Sequence, residues 1–329
     1  MGVGSSSTPT LLTELASPEA KVTGIFTYPI KSCRGISLPR APLTPFGFPW
    51  DRQWVVVNSK GRARTQRVEP KLALVEVELP PEVFLEHWKP TTDSVMAGME
   101  PGMVKAPGME PLKVCLNKQQ YEVVDDIGLW EWTGPAWDEG AEASKWFSDY
   151  LGSPCRLVRF NTASEVRNVD PPYVEGQQRI FFSDGYPFLL ASQESLDALN
   201  KFLEEQIPMN RFRPNILVEG CEPYAEDLWR DIKISRFSYQ CVKLCARCKI
   251  PQVNQETAIY GTEPTETLMK VRSGHVLRPN QNNKNKVYFG QKTVWNWKDS
   301  SAKGGGNMLK MGDSVYIIKK YPSLAEAAA

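Results

Sequence analysis

Three cysteines lie within eight residues in the stretch CVKLCARCKIPQV, at Cys241, Cys245 and Cys248. Their C-x3-C-x2-C spacing is the one that radical S-adenosylmethionine enzymes use to hold a four-iron cluster. The order of elements argues against a cluster here. Those motifs lie early in a long β-α series, whereas only 81 residues follow Cys248 and they are rich in predicted strands.

A zinc site is also disfavoured, because four ligands are needed and no second C-x2-C or paired histidine lies nearby. The two histidines, His87 and His275, lie in no pattern of metal ligands or of base and nucleophile. If residues 232–245 form an extended strand, Cys241 and Cys245 point to the same face. We interpret both as small core residues.

Cys248 differs from the other two thiols in its neighbours. Arg247 precedes it, Lys249 follows it, and Ile-Pro then ends the predicted strand. Adjacent cations favour the thiolate, which is the form of cysteine that attacks electrophiles or binds a metal. The sequence therefore predicts one reactive or metal-binding sulfur, at Cys248.

The composition limits the classes of protein that could present this sulfur. The 329 residues, 41% of them hydrophobic, suffice for one large or two ordinary domains. With 39 basic and 38 acidic residues, the net charge of +1 gives no support for a nucleic-acid partner. The odd number of cysteines, seven, favours reduced intracellular thiols over a disulfide framework.

The N-terminus raises the question of membrane attachment. No stretch approaches the roughly 18 apolar residues of a spanning helix, so we expect no transmembrane segment. Gly2, followed by a serine at position 6, fits the pattern for N-terminal myristoylation, and a disordered tail fits these residues equally well. We expect a cytoplasmic protein, with reversible membrane association through acylation at Gly2 as the open alternative.

Short strands dominate the predicted elements. Stretches rich in β-branched and aromatic residues at 22–30, 53–58 and 72–79 predict strands, and the same pattern returns after residue 230. The order of elements shows none of the alternating β-α series of a Rossmann fold or a TIM barrel. We therefore predict a β-dominated α/β protein with few helices and a barrel-like sheet.

Two helices are predicted among these strands. The first covers residues 138–152 and ends at Gly152, and the second begins at Ser192, whose side chain suits a helix N-cap. The apolar residues at helical spacing predict the buried face of the second helix: Leu196, Leu199, Phe202 and Leu203.

Seven segments lie along the chain in one characteristic order: YPIKSCRG, DRQWVVV, ARTQRVEPKL, FSDGYPFLLASQESLDALN, RFRPNILVEG, YAEDLWRDIKI and CARCKIPQV. Together they resemble the MOSC-domain proteins of the amidoxime-reducing component type, from about residue 22 to about residue 320. Residues 1–20 are small and polar, which predicts a flexible tail. The resemblance implies an N-terminal β-barrel-like domain (21–160) and a MOSC β-barrel domain (161–329). Animal relatives carry an N-terminal membrane anchor that this sequence lacks, so we expect placement at the mitochondrial outer membrane less than a cytoplasmic one.

The resemblance also implies a cofactor, Mo-molybdopterin, whose metal is ligated by one protein cysteine. That ligand is the cysteine of the Arg-Cys pair, here Cys248, and a soft thiolate suits a sulfur-rich metal centre. Asp184 matches the acidic residue near the metal, where it would hold a water or relay protons. A turn aspartate before Gly185 is the other interpretation of Asp184.

Further matching positions supply donors to the pterin and its phosphate. Lys31 and Ser32 offer an ammonium and a hydroxyl, while Arg52 and Arg213 offer planar forks that bind phosphate or stack on the ring.

Three amide, hydroxyl and guanidinium side chains complete the predicted set. Asn215 would both donate to and accept from the edge of the heterocycle, and Thr65 and Arg67 are weaker candidates. If the segment is extended, Arg211 and Arg213 share one strand face.

By resemblance, the reaction is the reduction of N-hydroxylated compounds such as amidoximes and hydroxylamines, with nitrite as a related substrate. Electrons would come from cytochrome b5 and NADH-cytochrome b5 reductase. The chain contains no dinucleotide or flavin fingerprint and no Cys-x-x-Cys-His, which agrees with an external donor. The alternative is a carrier of molybdenum cofactor or of sulfur that uses Cys248, because MOSC domains are also fused to cofactor sulfurases.

Overall fold

The computed structural model describes residues 17–86, 88, 101–117, 120–169, 178–280, 282, 284–296 and 306–327. Gly2 and His87 lie outside these ranges, so the acylation hypothesis stays a prediction. Within the described ranges, no helix combines the length and the apolar character that crossing a lipid bilayer requires.

The described strands, in chain order, are β1 (Ala20–Thr27), β2 (Ile36–Ser37), β3 (Arg40–Pro42), β4 (Trp54–Asn58), β5 (Glu76–Glu78), β6 (Gly102–Lys105), β7 (Leu112–Val114), β8 (Glu122–Leu129), β9 (Trp132–Asp138), β10 (Cys155–Phe160), β11 (Arg167–Asn168), β12 (Arg179–Ile180), β13 (Phe188–Ser192), β14 (Ile216–Glu219), β15 (Trp229–Ile234), β16 (Phe237–Ala246), β17 (Tyr288–Trp295), β18 (Met308–Lys310) and β19 (Ser314–Lys320). The described α-helices are α1 (Ala141–Leu151), α2 (Gln193–Asn200), α3 (Thr265–Val271) and α4 (Gly274–Leu277). Short 3-10 helices cover Pro70–Leu74, Pro81–Phe84, Met209–Arg211, Ala225–Leu228 and Ile250–Gln252.

Seven strands close a barrel in the order β14, β13, β17, β16, β15, β19 and β1, and β1 pairs back onto β14. The pair β13 and β14 is parallel, and the other neighbouring pairs are antiparallel. Closure leaves the barrel without open sheet edges. The prediction of a β-dominated fold with a barrel and few helices is confirmed.

The residues between β1 and the rest of the barrel form mainly two smaller antiparallel sheets. One has the strand order β4-β10-β9-β8 and the other β5-β6-β7. Val56 of β4, Val104 of β6 and Ile232 of β15 belong to one buried apolar cluster, so these sheets and the barrel share a core. The predicted boundary after residue 160 stays a prediction, and β1, which lies before it, is a barrel strand.

Both predicted helices form, and their ends follow local chemistry. Gly152 ends α1 at a φ of 69°, a left-handed conformation that glycine adopts without a Cβ penalty. Ser192 caps α2, since its Oγ accepts the N–H of Ser195 at 3.1 Å. The assignment of Phe202 to the buried face is wrong, because α2 ends at Asn200 and the side chain is 63% exposed.

The predicted strand at 72–79 is wrong in its first half. Pro70 begins a 3-10 helix that runs to Leu74, since the fixed φ of proline suits the first position of a helix. Only Glu76–Glu78 are extended as a strand.

Candidate functional site

A cavity of about 660 Å³ contains every site residue predicted from the sequence. The nine predicted residues in its wall are Lys31, Ser32, Arg52, Thr65, Arg67, Asp184, Arg213, Asn215 and Cys248. They come from six separate segments of the chain, so tertiary folding brings them together. The volume lies within the roughly 300–1,000 Å³ of small-molecule and cofactor sites.

The wall of this cavity is strongly cationic. It contains two acidic side chains, Glu131 and Asp184. Its eight basic side chains are Lys31, Arg52, Arg67, Arg167, Arg213, Arg247, Lys286 and Lys292. Because the whole chain carries a net charge of only +1, the positive charge is concentrated here. Such a cavity favours an anionic ligand.

Several wall residues hold an unfavourable backbone conformation. Ser32, Arg52, Trp130 and Arg213 have φ values of 69°, 50°, 55° and 56°. A left-handed conformation in a residue with a Cβ costs about 1 kcal/mol or more, and it persists only where the surroundings impose it. Such residues cluster at functional sites, and four of them meet in this cavity.

A buried carboxylate fixes Arg52. The Nη1 of Arg52 donates to both oxygens of Asp51, at 2.7 and 2.6 Å. Asp51 also accepts the backbone N–H of Tyr28 and the Nδ2 of Asn215, each at 3.0 Å. These contacts fix the guanidinium plane, which stacks on the Tyr28 ring at 4.2 Å.

Asn215 lines the cavity, but its amide is already used inside the protein. Its Oδ1 accepts from Arg52 at 3.0 Å and from the N–H of Leu189 at 3.2 Å. Its Nδ2 donates to Asp51 and to the carbonyl of Phe26, at 3.0 and 3.1 Å. All four hydrogen-bonding positions are occupied. This geometry favours a role in positioning Arg52 over the predicted contact with a heterocycle, which stays untested.

Arg213 lines the cavity and has a guanidinium N–H group that could donate to a ligand. Its guanidinium stacks on the Tyr28 ring at 4.3 Å, and its buried Nη2 has no hydrogen-bond partner among the described residues. Burial lowers the pKa of Arg213 to about 10, so the side chain stays cationic at neutral pH. The predicted shared strand face with Arg211 is wrong, because a 3-10 helix at Met209–Arg211 precedes the left-handed Arg213.

Lys31 and Asp184 form an ion pair in the wall. The Nζ of Lys31 donates to Asp184 Oδ1 at 2.6 Å and to the carbonyl of Phe182 at 2.8 Å. Trp130 Nε1 donates to the same Asp184 oxygen at 2.9 Å. Burial alone would raise the pKa of Asp184, but the Lys31 ammonium lowers it well below its usual range. Asp184 is therefore a carboxylate at neutral pH, which favours holding a proton donor over donating a proton itself.

Breaking this pair is expected to move the titration of Asp184 upward. In the wild type, the lowered pKa means that the pair stabilises the protein above the ordinary aspartate value of 3.8. That contribution is lost as the pH falls through the lowered pKa. In Lys31→Met the ammonium is absent, so Asp184, whose side chain is 51% exposed, protonates at a higher pH than in the wild type. Carboxyl NMR titration of the cofactor-free protein measures the difference.

Lys292→Met is the matched control, because Lys292 Nζ reaches only the backbone carbonyl of Asp184, at 3.3 Å. We expect this variant to shift the pKa of Asp184 less than Lys31→Met does. Equal titration of Asp184 in the wild type and in Lys31→Met would contradict the assignment.

Ser32, Thr65 and Arg67 lie on neighbouring loops of the wall. The carbonyl of Ser32 accepts from Gln66 Nε2 at 2.7 Å, which ties the two loops together. Thr65 Oγ1 accepts the N–H of Arg67 at 3.3 Å. The Arg67 guanidinium stacks on the Trp130 ring at 4.1 Å. Ser32 and Thr65 are buried, whereas Arg67 is partly exposed.

The three cysteines lie in different surroundings. Cys241 is fully buried in the core, and burial raises its pKa to about 12. Cys245 lines the cavity, where Arg247 Nη1 donates to its Sγ at 3.1 Å. Cys248 lies in the same wall and is partly exposed. Among the described residues, no three His, Cys, Asp or Glu side chains meet as a metal-binding group.

The prediction that Cys241 and Cys245 share one face is wrong. The register of β16 against β17 shifts between Cys241 and Lys243 and again between Leu244 and Ala246. Each bulge changes the alternation of side chains along the strand. Cys245 therefore reaches the cavity, although it is as buried as a core residue.

Sequence reasoning missed three residues that shape the site. Asp51 and Trp130 are named above, and Arg167 lines the wall while its Nη1 donates to the carbonyls of Phe181 and Ser183. Asp51 could have been found from the sequence, since it directly precedes Arg52 in the segment DRQWVVV. Trp130 lies at the turn between β8 and β9, where a large aromatic residue has no packing reason to be.

The fold is a closed barrel with a cationic cavity that suits an anionic ligand, and comparisons identify the family. The chain matches the MOSC N-terminal beta barrel domain over residues 19–154 and the MOSC domain over residues 177–316. It is 32% identical to mitochondrial amidoxime reducing component 2 of Rattus norvegicus over 261 residues, which are 76% of this chain and 72% of the relative. The chain therefore belongs to the MOSC-domain family of the amidoxime-reducing component type.

Two other relatives widen this picture. Mitochondrial amidoxime-reducing component 1 of Homo sapiens is 28% identical, covering 94% of this chain and 86% of the relative. Molybdenum cofactor sulfurase of Oryza sativa subsp. japonica is also 28% identical, covering 92% of this chain but only 36% of the relative. The protein is thus a MOSC protein related to molybdenum cofactor proteins.

The residues of the cavity fit a molybdenum cofactor. Its phosphate needs cationic donors, and Arg213 Nη2 and Ser183 Oγ are buried without hydrogen-bond partners among the described residues. Its metal needs a soft ligand, and the Cys248 thiol is partly accessible in the same wall. Its ring system is large and flat, which the cavity volume and the guanidinium planes of Arg52 and Arg213 accommodate.

Proposed function

We propose that this protein is a molybdenum-cofactor-dependent reductase of N-hydroxylated compounds, namely amidoximes and hydroxylamines, with nitrite as a further substrate. Its electrons come from cytochrome b5, which NADH-cytochrome b5 reductase reduces. The observation that carries the proposal is the position of Cys248 in one cationic wall with Lys31, Arg52 and Arg213. The names of the amidoxime-reducing relatives support the same chemistry.

In this proposal, different side chains of the wall bind different parts of the cofactor. The Cys248 thiolate is the metal ligand, and Arg213 and Ser32 donate to the phosphate. Arg52, fixed by Asp51, presents its guanidinium plane to the pterin. Thr65 and Arg67 offer a hydroxyl and a guanidinium to the cofactor from the loop side of the cavity.

When bound, the cofactor supplies the two electrons that break the N–O bond. Reduction of one hydroxylamine to an amine also consumes two protons and releases one water. We assign delivery of one of these protons to the Nζ of Lys31, which lines the cavity and whose pKa is lowered by burial, and delivery of the other to water. The Asp184 carboxylate accepts from Lys31 and from Trp130, and so holds the donor in position.

A carrier of molybdenum cofactor or of sulfur is the second candidate. The observation that favours it is the similarity to the rice sulfurase, of which this chain matches only a part. In this function Cys248 would hold a persulfide or the cofactor for delivery, without turnover of a substrate.

Turnover separates the two candidates. Protein expressed in a host that makes molybdopterin is supplied with cytochrome b5, its reductase, NADH and benzamidoxime. We expect steady oxidation of NADH that depends on benzamidoxime, with many turnovers per chain. A single stoichiometric release of sulfur, without continued NADH oxidation, would favour the carrier and contradict the reductase.

A further inference from the structure

Three apolar side chains are exposed together on two loops beside the cavity. Val68 is 69% exposed, Ile259 is 67% exposed and Tyr260 is 39% exposed. We call these three residues the apolar patch. Neighbouring exposed apolar side chains mark surfaces that bind another molecule.

The two loops that carry the apolar patch are locked to each other. The side-chain amides of Gln66 and Gln255 exchange hydrogen bonds at 3.0 and 2.9 Å. The hydroxyl of Tyr260 donates to the carbonyl of Gln66. The patch is therefore formed in advance, and a partner would lose little free energy in ordering it.

The apolar patch continues directly into the cavity wall near Cys248. Gln66 lies between Thr65 and Arg67, which both line the cavity. On the other loop, the N–H of Gly261 donates to the carbonyl of Gln252 at 2.9 Å, four residues after Cys248. A partner on the patch therefore sits next to the cysteine that we assign to the metal.

Exposed basic side chains lie on the segments beside Cys248, next to the apolar patch. Lys249 and Lys284 are exposed, and the N–H of Arg247 donates to the carbonyl of Val287 at 2.8 Å, which brings the 284–287 segment beside Cys248. Two of the acidic side chains on the same loops contact arginines: Glu69 pairs with Arg64 at 3.3 Å, and Glu256 shares Arg34 with Glu76, each at 3.0 Å. The adjoining cavity wall holds eight basic and two acidic side chains, so together with the exposed lysines it forms a basic rim that complements an acidic partner.

We propose that the apolar patch and its basic rim are the docking surface for an acidic one-electron carrier protein, an inference that rests on the proposed function. Two successive one-electron transfers at this surface supply the two electrons for each N–O bond, and each leaves one carrier oxidised. Transient redox complexes bury less than about 1,200 Å², so a patch of three residues with a charged rim is sufficient.

The test compares two electron sources for cofactor-loaded wild type and for Val68→Glu/Ile259→Glu. One source is cytochrome b5 with its NADH reductase, and the other is reduced methyl viologen, a dye that needs no docking surface. We expect the double variant to lower kcat/KM for cytochrome b5 at least about tenfold, since like charges are placed opposite an acidic partner. Calorimetry should show a matching rise in the Kd of cytochrome b5. The viologen-driven reduction of benzamidoxime should not change.

Val123→Glu/Ile318→Glu is the matched control, because it adds the same charge at side chains that are 50% and 47% exposed and that line no part of the cavity. We expect wild-type values from it in every assay. Wild-type kcat/KM and Kd in Val68→Glu/Ile259→Glu would overturn the docking surface. So would a dimer, or binding to anionic vesicles, that this variant abolishes while its kinetics with cytochrome b5 stay unchanged.

A different result would contradict the proposed function itself. If the wild type reduces no benzamidoxime with methyl viologen, the reductase itself is overturned, and the docking proposal falls with it. If viologen supports reduction but the patch variant behaves as wild type with cytochrome b5, only the docking surface is overturned.

Discussion

Replacing Cys248 by serine is expected to remove molybdenum and N-reductive activity together. We propose this partly exposed thiol as the soft metal ligand, because the other thiol in the wall, Cys245, is 8% exposed and accepts a hydrogen bond from Arg247. In metalloproteins, loss of a residue that hydrogen-bonds to a metal ligand already lowers metal affinity roughly 10–100-fold. Loss of the ligand itself should lower molybdenum affinity by more than about 100-fold. Elemental analysis of protein from a host that makes molybdopterin, with benzamidoxime assays, measures both effects.

Two neighbouring thiols provide controls for Cys248→Ser. Cys241→Ser should keep its molybdenum and activity, because Cys241 lies in the core and not in the cavity wall. Cys245→Ser should keep the metal, although Cys245 contacts Arg247 in the wall. Loss of molybdenum in both controls would contradict the assignment of a single ligand. Iron at the stoichiometry of a cluster in the wild type would restore the radical-enzyme interpretation.

The sequence distinguished Cys248 from its two neighbours by its flanking cations, an assignment that stays a prediction, and it grouped those neighbours wrongly. Arg247 and Lys249 flank Cys248 in the chain and are visible in the sequence, but in the fold the Arg247 guanidinium contacts Cys245 Sγ and the carbonyl of Phe212. The surroundings of Cys245 depend on register shifts between β16 and β17. A bulge is a property of the pairing of two strands, and an alternation of side chains along one strand does not reveal it.

In the predicted site, too, the sequence indicates which residues line the cavity, but it does not indicate what each of them contacts. Motif positions selected the cations and polar groups that line the cavity, among them Lys31, Arg52 and Arg213. What each group contacts depends on residues far away in the chain. The side-chain amide of Asn215 makes hydrogen bonds to Asp51 and to three other partners, and only the folded structure shows them. The contacts of Asn215 inside the protein thus depend on tertiary structure, and its predicted contact with a heterocycle stays a prediction.

The second large effect is expected at Asp51, which is 1% exposed. In Asp51→Ala, Arg52 Nη1 loses both carboxylate contacts, and the N–H of Tyr28 and the Nδ2 of Asn215 each lose an acceptor. The Arg52 side chain is only 14% exposed, so water replaces these contacts poorly. Removing one partner of a buried pair costs about 3–5 kcal/mol. We expect the free energy of unfolding to fall by about 3 kcal/mol, measured by urea unfolding of the cofactor-free protein.

Two variants test whether this loss comes from the buried charge. Asp51→Asn keeps the size and the acceptor oxygen, so it should lose less stability than Asp51→Ala. Asp231→Ala removes a carboxylate that is 35% exposed and lies 3.9 Å from Lys319, and such a pair is worth less than about 1 kcal/mol. Equal losses in Asp51→Ala and Asp231→Ala would contradict the argument. Because Arg52 is loosened, the pterin content of purified Asp51→Ala should also fall, whereas that of Asp231→Ala should match the wild type.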